Sequence, residues 1–182
     1  MNESSIPNAP EAPAPATDAS PTLSKRHRAV AALRHALAAA DPGTIASLRR
    51  CDPDSPPAAF YRVAVDVLDE HLHQNGPRRD AEETRWAVVV SAMATAQGLL
   101  APVPLGEALA RAGVAEMRVT RLLEASSAQL PEIVRNIVHQ LVQKAQPFDP
   151  NELADLVLTA GSHHEREPRR RIARSFYRHA GT

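Results

Sequence analysis

The chain has 182 residues, 43% of them hydrophobic but only 3% aromatic, and its 21 basic side chains are matched by 21 acidic ones. That length allows one or two small domains, and a core of Ala, Leu and Val in the company of Arg and Glu favours helices over sheets. A single cysteine, Cys51, excludes an internal disulfide and fits a reducing cytoplasm, and no apolar run is long enough to cross a bilayer.

The neutral total hides a segregation. Residues 1–24 hold Glu3, Glu11 and Asp18 but no Lys or Arg, which leaves 21 basic against 18 acidic side chains in the remainder, a net of +3. Five prolines are spread among Ala, Ser and Asn in the same stretch. Such a segment buries too little apolar surface to offset its ordering entropy, so a disordered Pro/Ala-rich extension is expected over 1–24. It contains no apolar core of the kind a signal peptide carries.

From Lys25 the pattern turns helical. "KRHRAVAALRHALAAA" repeats Val30, Leu33 and Leu37 at steps of three and four, and "DPG" at Asp41 to Gly43 stops it. "TIASLRRC" reads as a short helix closed by "DPDSPP". "PPAAFYRVAVDVLDEHLHQ" reads as a longer one with Phe60, Val63, Val67 and Leu68 inward, ending at Asn75-Gly76-Pro77. "DAEETRWAVVVSAMATAQGLL" opens with Asp80 as expected N-cap and Glu83 three residues on, a capping-box spacing. "LGEALARAG" and "AEMRVTRLLEA" are two short helices around Gly113. "LPEIVRNIVHQLVQKA" puts Ile133, Val134, Ile137, Val138, Leu141 and Val142 on one half of a wheel and Arg135 and His139 on the other. "DPNELADLVLTA" begins with Asp149 at the cap, Pro150 at the first helical position and Glu152 at the box position. No stretch alternates long enough for a strand. The expected fold is all-α, two packed bundles of eight or nine helices, over 25–112 and 113–182.

The carboxyl end, "EPRRRIARSFYRHAGT", carries six arginines against two glutamates over residues 165–178, a net of +4. At about 100° per residue, Ile172, Ala173, Phe176 and Tyr177 share one face, and Arg170, Arg171, Arg174 and Arg178 share the adjacent one. This predicts a docked amphipathic helix with a basic stripe, its Tyr177 on the buried side.

Catalytic signals are poor. His163-His164 and His71-x-His73 have no Cys or carboxylate partners at metal-site spacing, no Gly-rich phosphate loop exists, and Cys51 beside Arg49 and Arg50 lacks a base, so it reads as an unreactive helix-end thiol. Asp66, Asp69 and Glu70 read as a solvated face. No catalytic residue, metal or cofactor is expected. The arginines carry more information. Arg49 and Arg50 close a short helix, Arg118 and Arg121 lie one turn apart, Arg135 projects from the long amphipathic helix, and Arg171 and Arg174 belong to the terminal stripe. Guanidinium forks match phosphate oxygens and stay charged in any surroundings, so their joint pattern points to a nucleic-acid backbone.

"GTIASLRRC", "MRVTRLLEASSAQLPEIVRNIVHQLVQKAQPFDPNELADLVL" and "RRRIARSFYR", in this order, resemble the CasB family, the small subunit of the type I-E CRISPR surveillance complex (Cascade). The matching residues are Leu48, Arg49 and Arg50, then Arg118, Arg121, Leu122 and Leu123, then Ala173, Arg174, Phe176 and Tyr177. Departures are Pro150 and Ile172, where family members often carry Trp. The resemblance covers about residues 25 to 180 and implies a helical, non-catalytic subunit. It implies two copies beside other Cascade subunits, a helical backbone of other subunits and a large subunit, with crRNA and both strands of target DNA. Basic residues would steady the unwound target. The implied contacts are Arg49, Arg50, Arg118, Arg121, Arg135, Arg171 and Arg174. Hybrid and duplex are nearly balanced in energy, so backbone contacts can tip R-loop formation; with few aromatics, a phosphate track is expected over a base-stacking groove. Two other readings stay open: a stand-alone helix-turn-helix DNA binder over 105–123, and a helical protein-interaction module whose arginines pair with acids of the same chain.

Overall fold

A computed structural model describes residues 21–181. The expected disordered extension lies outside them, except that residues 21–24 already begin the first helix. Among the described residues the structure is all-α: α1 (Pro21–Ala39), α2 (Pro42–Arg49), α3 (Ala58–Val63), α4 (Pro77–Thr95), α5 (Leu105–Arg111), α6 (Glu116–Glu124), α7 (Leu130–Gln143), α8 (Pro150–Leu158) and α9 (Arg166–His179). None of these is long and apolar enough to cross a membrane.

The helix starts follow local chemistry. Asp41 caps α2 by accepting from the Thr44 N–H (3.0 Å) and hydroxyl (2.6 Å), and Pro42 supplies a first position that needs no donor. α4 starts earlier than the Asp80 signal predicts. Gly76, at φ 87°, reverses the chain and Pro77 opens the helix, so Asp80 falls in the first turn and Glu83 pairs with Arg79 at 2.7 Å instead of closing a capping box. Asp149 does cap α8, accepting from the Asn151 N–H at 2.8 Å. Glu152, however, turns away from that cap and accepts from the Leu105 N–H at 2.7 Å, joining α8 to the first turn of α5.

The helix expected through residue 74 is broken into pieces. After α3 come a π-helical turn (Ala64–Leu68) and a 3₁₀ turn (Asp69–His71). The buried positions here are Phe60, Ala64, Leu68 and Leu72, spaced by four, while Val63 and Val67 are only half-buried. In an α-helix that spacing drifts by about 40° per step. A wider turn keeps the series facing the core.

One hydrophobic core runs through the whole assembly. α4 is its axis: Trp86, Ala87, Val88, Val89, Val90, Ala92, Met93 and Ala94 are all buried, because the helix packs against α2 on one side and α7 and α8 on others. α1 lays Val30, Leu33 and Leu37 inward and packs on α8. Thus α1 and α4 share packing with α7 and α8, and α5, on the amino-terminal side of the boundary expected at 112, packs along α9. That last pairing is close because residue 106 is glycine. A Cβ there would lie 2.6 Å from the Phe176 N, 2.8 Å from the Ser175 Cβ and closer still to the Ile172 carbonyl. Backbone therefore rests on backbone, and α9 is docked, as its amphipathic pattern requires.

Candidate nucleic-acid interface

α7 organises the basic surface. Its inner stripe, Val134, Ile137, Val138 and Leu141, is buried, which turns Arg135 and His139 outward one turn apart. On one side of this ridge lies the end of α2. Arg49 donates its Nε to the Ala94 carbonyl at 3.0 Å, and its own carbonyl accepts from the Ser91 hydroxyl at 3.2 Å. That stitch to α4 holds Arg50 exposed at the C-cap. Arg135 and His139 line the small cleft beside Cys51, so Arg135 stands next to the α2 end. Burial, reinforced by Asp52 and opposed by Arg135, pushes the Cys51 thiol up to about 11.

On the other side of the ridge, α6 and α7 enclose an open groove of about 920 Å³. Arg118 and Arg121 come from α6, and His139 and Lys144 from α7; Glu132 is the one acid in the lining. The Arg118 Nη1 donates to the Gln140 Oε1 at 2.8 Å. Gln129, Asn136 and Gln143 add amides above an apolar floor of Ile133 and Ile137. His139 borders both the α2-end cleft and this groove. Arg121 in turn borders the groove and a second open cleft with Met117, Thr120 and Glu124, beside which α9 passes. The α2-end cleft and the α6–α7 groove thus share His139, and the groove shares Arg121 with the cleft beyond it, while Arg50 is exposed at the α2 C-cap and Arg174 on α9.

Arg118, Arg121 and Arg135 line these adjoining clefts, while Arg49, Arg50 and Arg174 are exposed on α2, its C-cap and α9. Arg50, Arg118, Arg121, Arg135 and Arg174 form no ion pair with any described residue. Arg171 differs. Its Nη2 lies 2.7 Å from the Oδ2 of Asp155, whose side chain is 2% exposed, and its Nε lies 3.8 Å from Glu152. Asp155 also has Arg26 at 3.8 Å and His27 at 3.6 Å. Burial raises the Glu152 carboxyl, against the lowering effect of the Leu105 N–H and Arg171.

Several site residues carried weak sequence signals or none. Lys144 and the amides of the groove follow from α7's outer face only once α6 is known to pack there. Arg169 donates to the Leu123 and Ala125 carbonyls, both at 2.8 Å, which closes the C-terminal end of α6 and sets α9 beside it. Tyr177 corrects the wheel: Ile172 and Phe176 are buried, Ala173 is half-buried, and Tyr177 is 53% exposed. α6 supplies a hydrogen-bonding partner there, Glu116, in place of an apolar wall. The His163 and His164 ring centroids lie 3.8 Å apart on the surface, the rings tilted by 44°, and among the described residues no group of three or more metal-type ligands forms.

A family model described as CRISPR-associated protein Cse2 matches residues 44–177. No curated protein matches. Among solved structures, a chain of E. coli Cascade bound to a PAM-containing dsDNA target is similar to this one, with a TM-score of 0.58 and 22% identity. The match covers 81% of this chain and 96% of that one. At that identity the likeness speaks to the fold.

Proposed function

This chain belongs to the CRISPR-associated Cse2 family, and from that premise we propose that it serves as a non-catalytic small subunit of an RNA-guided Cascade complex in antiviral defence. It works in the cytoplasm, in two copies, beside the backbone and large subunits, crRNA and target DNA. Its task is to hold the sugar-phosphate backbones of the target and displaced strands and so stabilise the R-loop. The observation that supports this most is a set of exposed arginines without acidic partners on α2, α6, α7 and α9, three of which line clefts that share His139 and Arg121. A helical protein-interaction module would have paired them within the chain. A stand-alone helix-turn-helix would concentrate them on one recognition helix, whereas here they come from four. The contacts are Arg49, Arg50, Arg118, Arg121, Arg135 and Arg174; Arg171 contributes from beneath, tied to Asp155 and holding α9 in place.

Sequence is read by the guide, so these side chains need only neutralise phosphate. The test is a variant with Arg50, Arg121, Arg135 and Arg174 all changed to Ala, assembled into the complex. Target binding is then measured over a salt series. The expected result is intact assembly, weaker binding and a log–log salt slope reduced by about three units per copy. Unchanged affinity and slope would exclude the assignment.

A further inference from the structure

The chain's exposed aromatic rings are unequal in their surroundings. Phe60, Trp86, Phe148 and Phe176 are buried; Tyr61 and Tyr177 are 47% and 53% exposed. Tyr61, on α3 beside exposed Arg62, precedes the π-helical and 3₁₀ turns that carry Val65 and exposed Asp66, Asp69 and Glu70, a setting richer in acids than in arginines. Tyr177 sits between Arg174, one turn before it, and Arg178, next to it. Both arginines are exposed and have no ion pair with any described residue.

The Tyr177 ring is also held. Its hydroxyl donates to the Glu116 Oε1 at 2.9 Å, and its body packs edge-on against buried Phe176, with centroids 5.4 Å apart at 79°. Glu116 fixes one end and Phe176 the other, so one face is left to solvent without loss of ring order. Met117, next to Glu116 on α6, is 77% exposed and lines the open cleft that Arg121 shares with the basic groove. A phosphate track alone has no use for a fixed aromatic face and an exposed thioether. Together with flanking guanidinium groups they match a nucleotide with an unstacked base: ring on base face, arginines on phosphates. A duplex hides its base faces in its own stack, and in an R-loop the target strand is paired to the guide. The displaced strand alone has free faces.

We propose that Tyr177, with Met117 as a shelf, stacks an unpaired base of the displaced DNA strand while Arg174 and Arg178 hold the adjoining phosphates. This rests on the R-loop reading above and names the strand that the α9 edge receives.

The test uses the assembled complex with Y177L, Y177F and, as control, Y61L. Targets carry 2-aminopurine at successive positions of the displaced strand, or of the target strand in a parallel set. Y177L should weaken target binding roughly tenfold with an unchanged salt slope, because a stack is lost and no phosphate contact is. It should also brighten 2-aminopurine at one displaced-strand position. Y177F, which keeps the ring but loses the Glu116 bond, should fall between wild type and Y177L, and Y61L should match wild type. Wild-type affinity and fluorescence in Y177L would overturn the proposal, as would a response confined to the target strand. So would failure of folded Y177L to enter the complex, which would make the patch a subunit interface. If Y177L does not fold, M117A must give the same displaced-strand response at smaller amplitude, and its absence would likewise overturn the proposal. When the four-arginine variant weakens binding but Y177L does not, this inference fails and the R-loop reading stands.

Discussion

Exchanging Arg171 for Met keeps the apolar stem of the side chain and removes the cation that faces Asp155. The carboxylate it leaves behind is 2% exposed and stands on a helix whose Leu153, Ala154, Leu156 and Val157 are all buried. The Arg26 guanidinium, at 3.8 Å, and the His27 ring, at 3.6 Å, are farther off. Removing one partner of a fully buried pair costs about 3–5 kcal/mol. Arg171 is 38% exposed, so solvent already screens part of the interaction, and a loss of about 2 kcal/mol is expected. D155N is the asymmetric counterpart. It removes the charge that is costly to bury, its amide oxygen still accepts from Arg171, and the guanidinium reaches water, so the loss should be about 1 kcal/mol or less. The double variant should cost less than the two singles combined, with a coupling of about 1 kcal/mol. Urea titrations of all four proteins at neutral pH measure this cycle. Strict additivity, or a D155N loss larger than that of R171M, would refute the view of Arg171 as the pin between α9 and α8. A salt slope for target binding reduced by R171M but not by a loosened α9 would return Arg171 to the phosphate contacts.

Two further outcomes follow from the helix contacts and caps. G106A should destabilise the fold by about 2 kcal/mol even though Ala is the better helix former, because its Cβ would push against the α9 backbone; a thermal melt above wild type would contradict the close approach of α5 and α9. Asp41 is held below its ordinary value of 3.8 first by the Thr44 hydroxyl and then by the Thr44 N–H. A depressed acid contributes stability above its unfolded value and loses it as pH falls through the folded one. The gap in melting temperature between wild type and D41A should therefore be full at neutral pH and close as pH drops below 3.8, and a gap independent of pH would show that the cap does not act through the carboxylate.

Elements that depend on their own residues were legible in the sequence. The stripes of α1 and α7, the Asp149-Pro150 start of α8 and the docked amphipathic α9 are each written in local spacing, and each is found. What local spacing does not contain is the identity of the neighbour. Glu152 has the position of a capping-box acid, but the α5 amide of Leu105 lies 2.7 Å away and takes it. Asp155 is a lone charge in "LADLVL", which signals a buried partner without saying that Arg171 is that partner. Gly106 looks like any helix glycine until α9 lies across it. Tyr177 was misassigned for the same reason: a wheel ranks faces by polarity, and it cannot know that the α6 end opposite offers a carboxylate and leaves the ring open. The candidate site was legible as a set of arginines but not as a surface, since only the α6–α7 packing shows that His139 and Arg121 are each shared by two neighbouring clefts.

The same packing explains how a neutral chain sustains a basic surface. Arginines whose forks meet acids or helix ends serve the fold: Arg79 bridges Asp69 and Glu83, each at 2.7 Å, Arg169 closes α6, and Arg171 holds α9. Acids also sit in the seams between helices, where Asp155 is buried and Glu152 half-buried, and the turns after α3 carry Asp66, Asp69 and Glu70. With the acids placed there, Arg50, Arg118, Arg121, Arg135 and Arg174 keep their charge for an outside anion. Local potential, not net charge, is what a polyanion meets at the Debye distance, so a pI near neutrality and a phosphate track are compatible in one molecule.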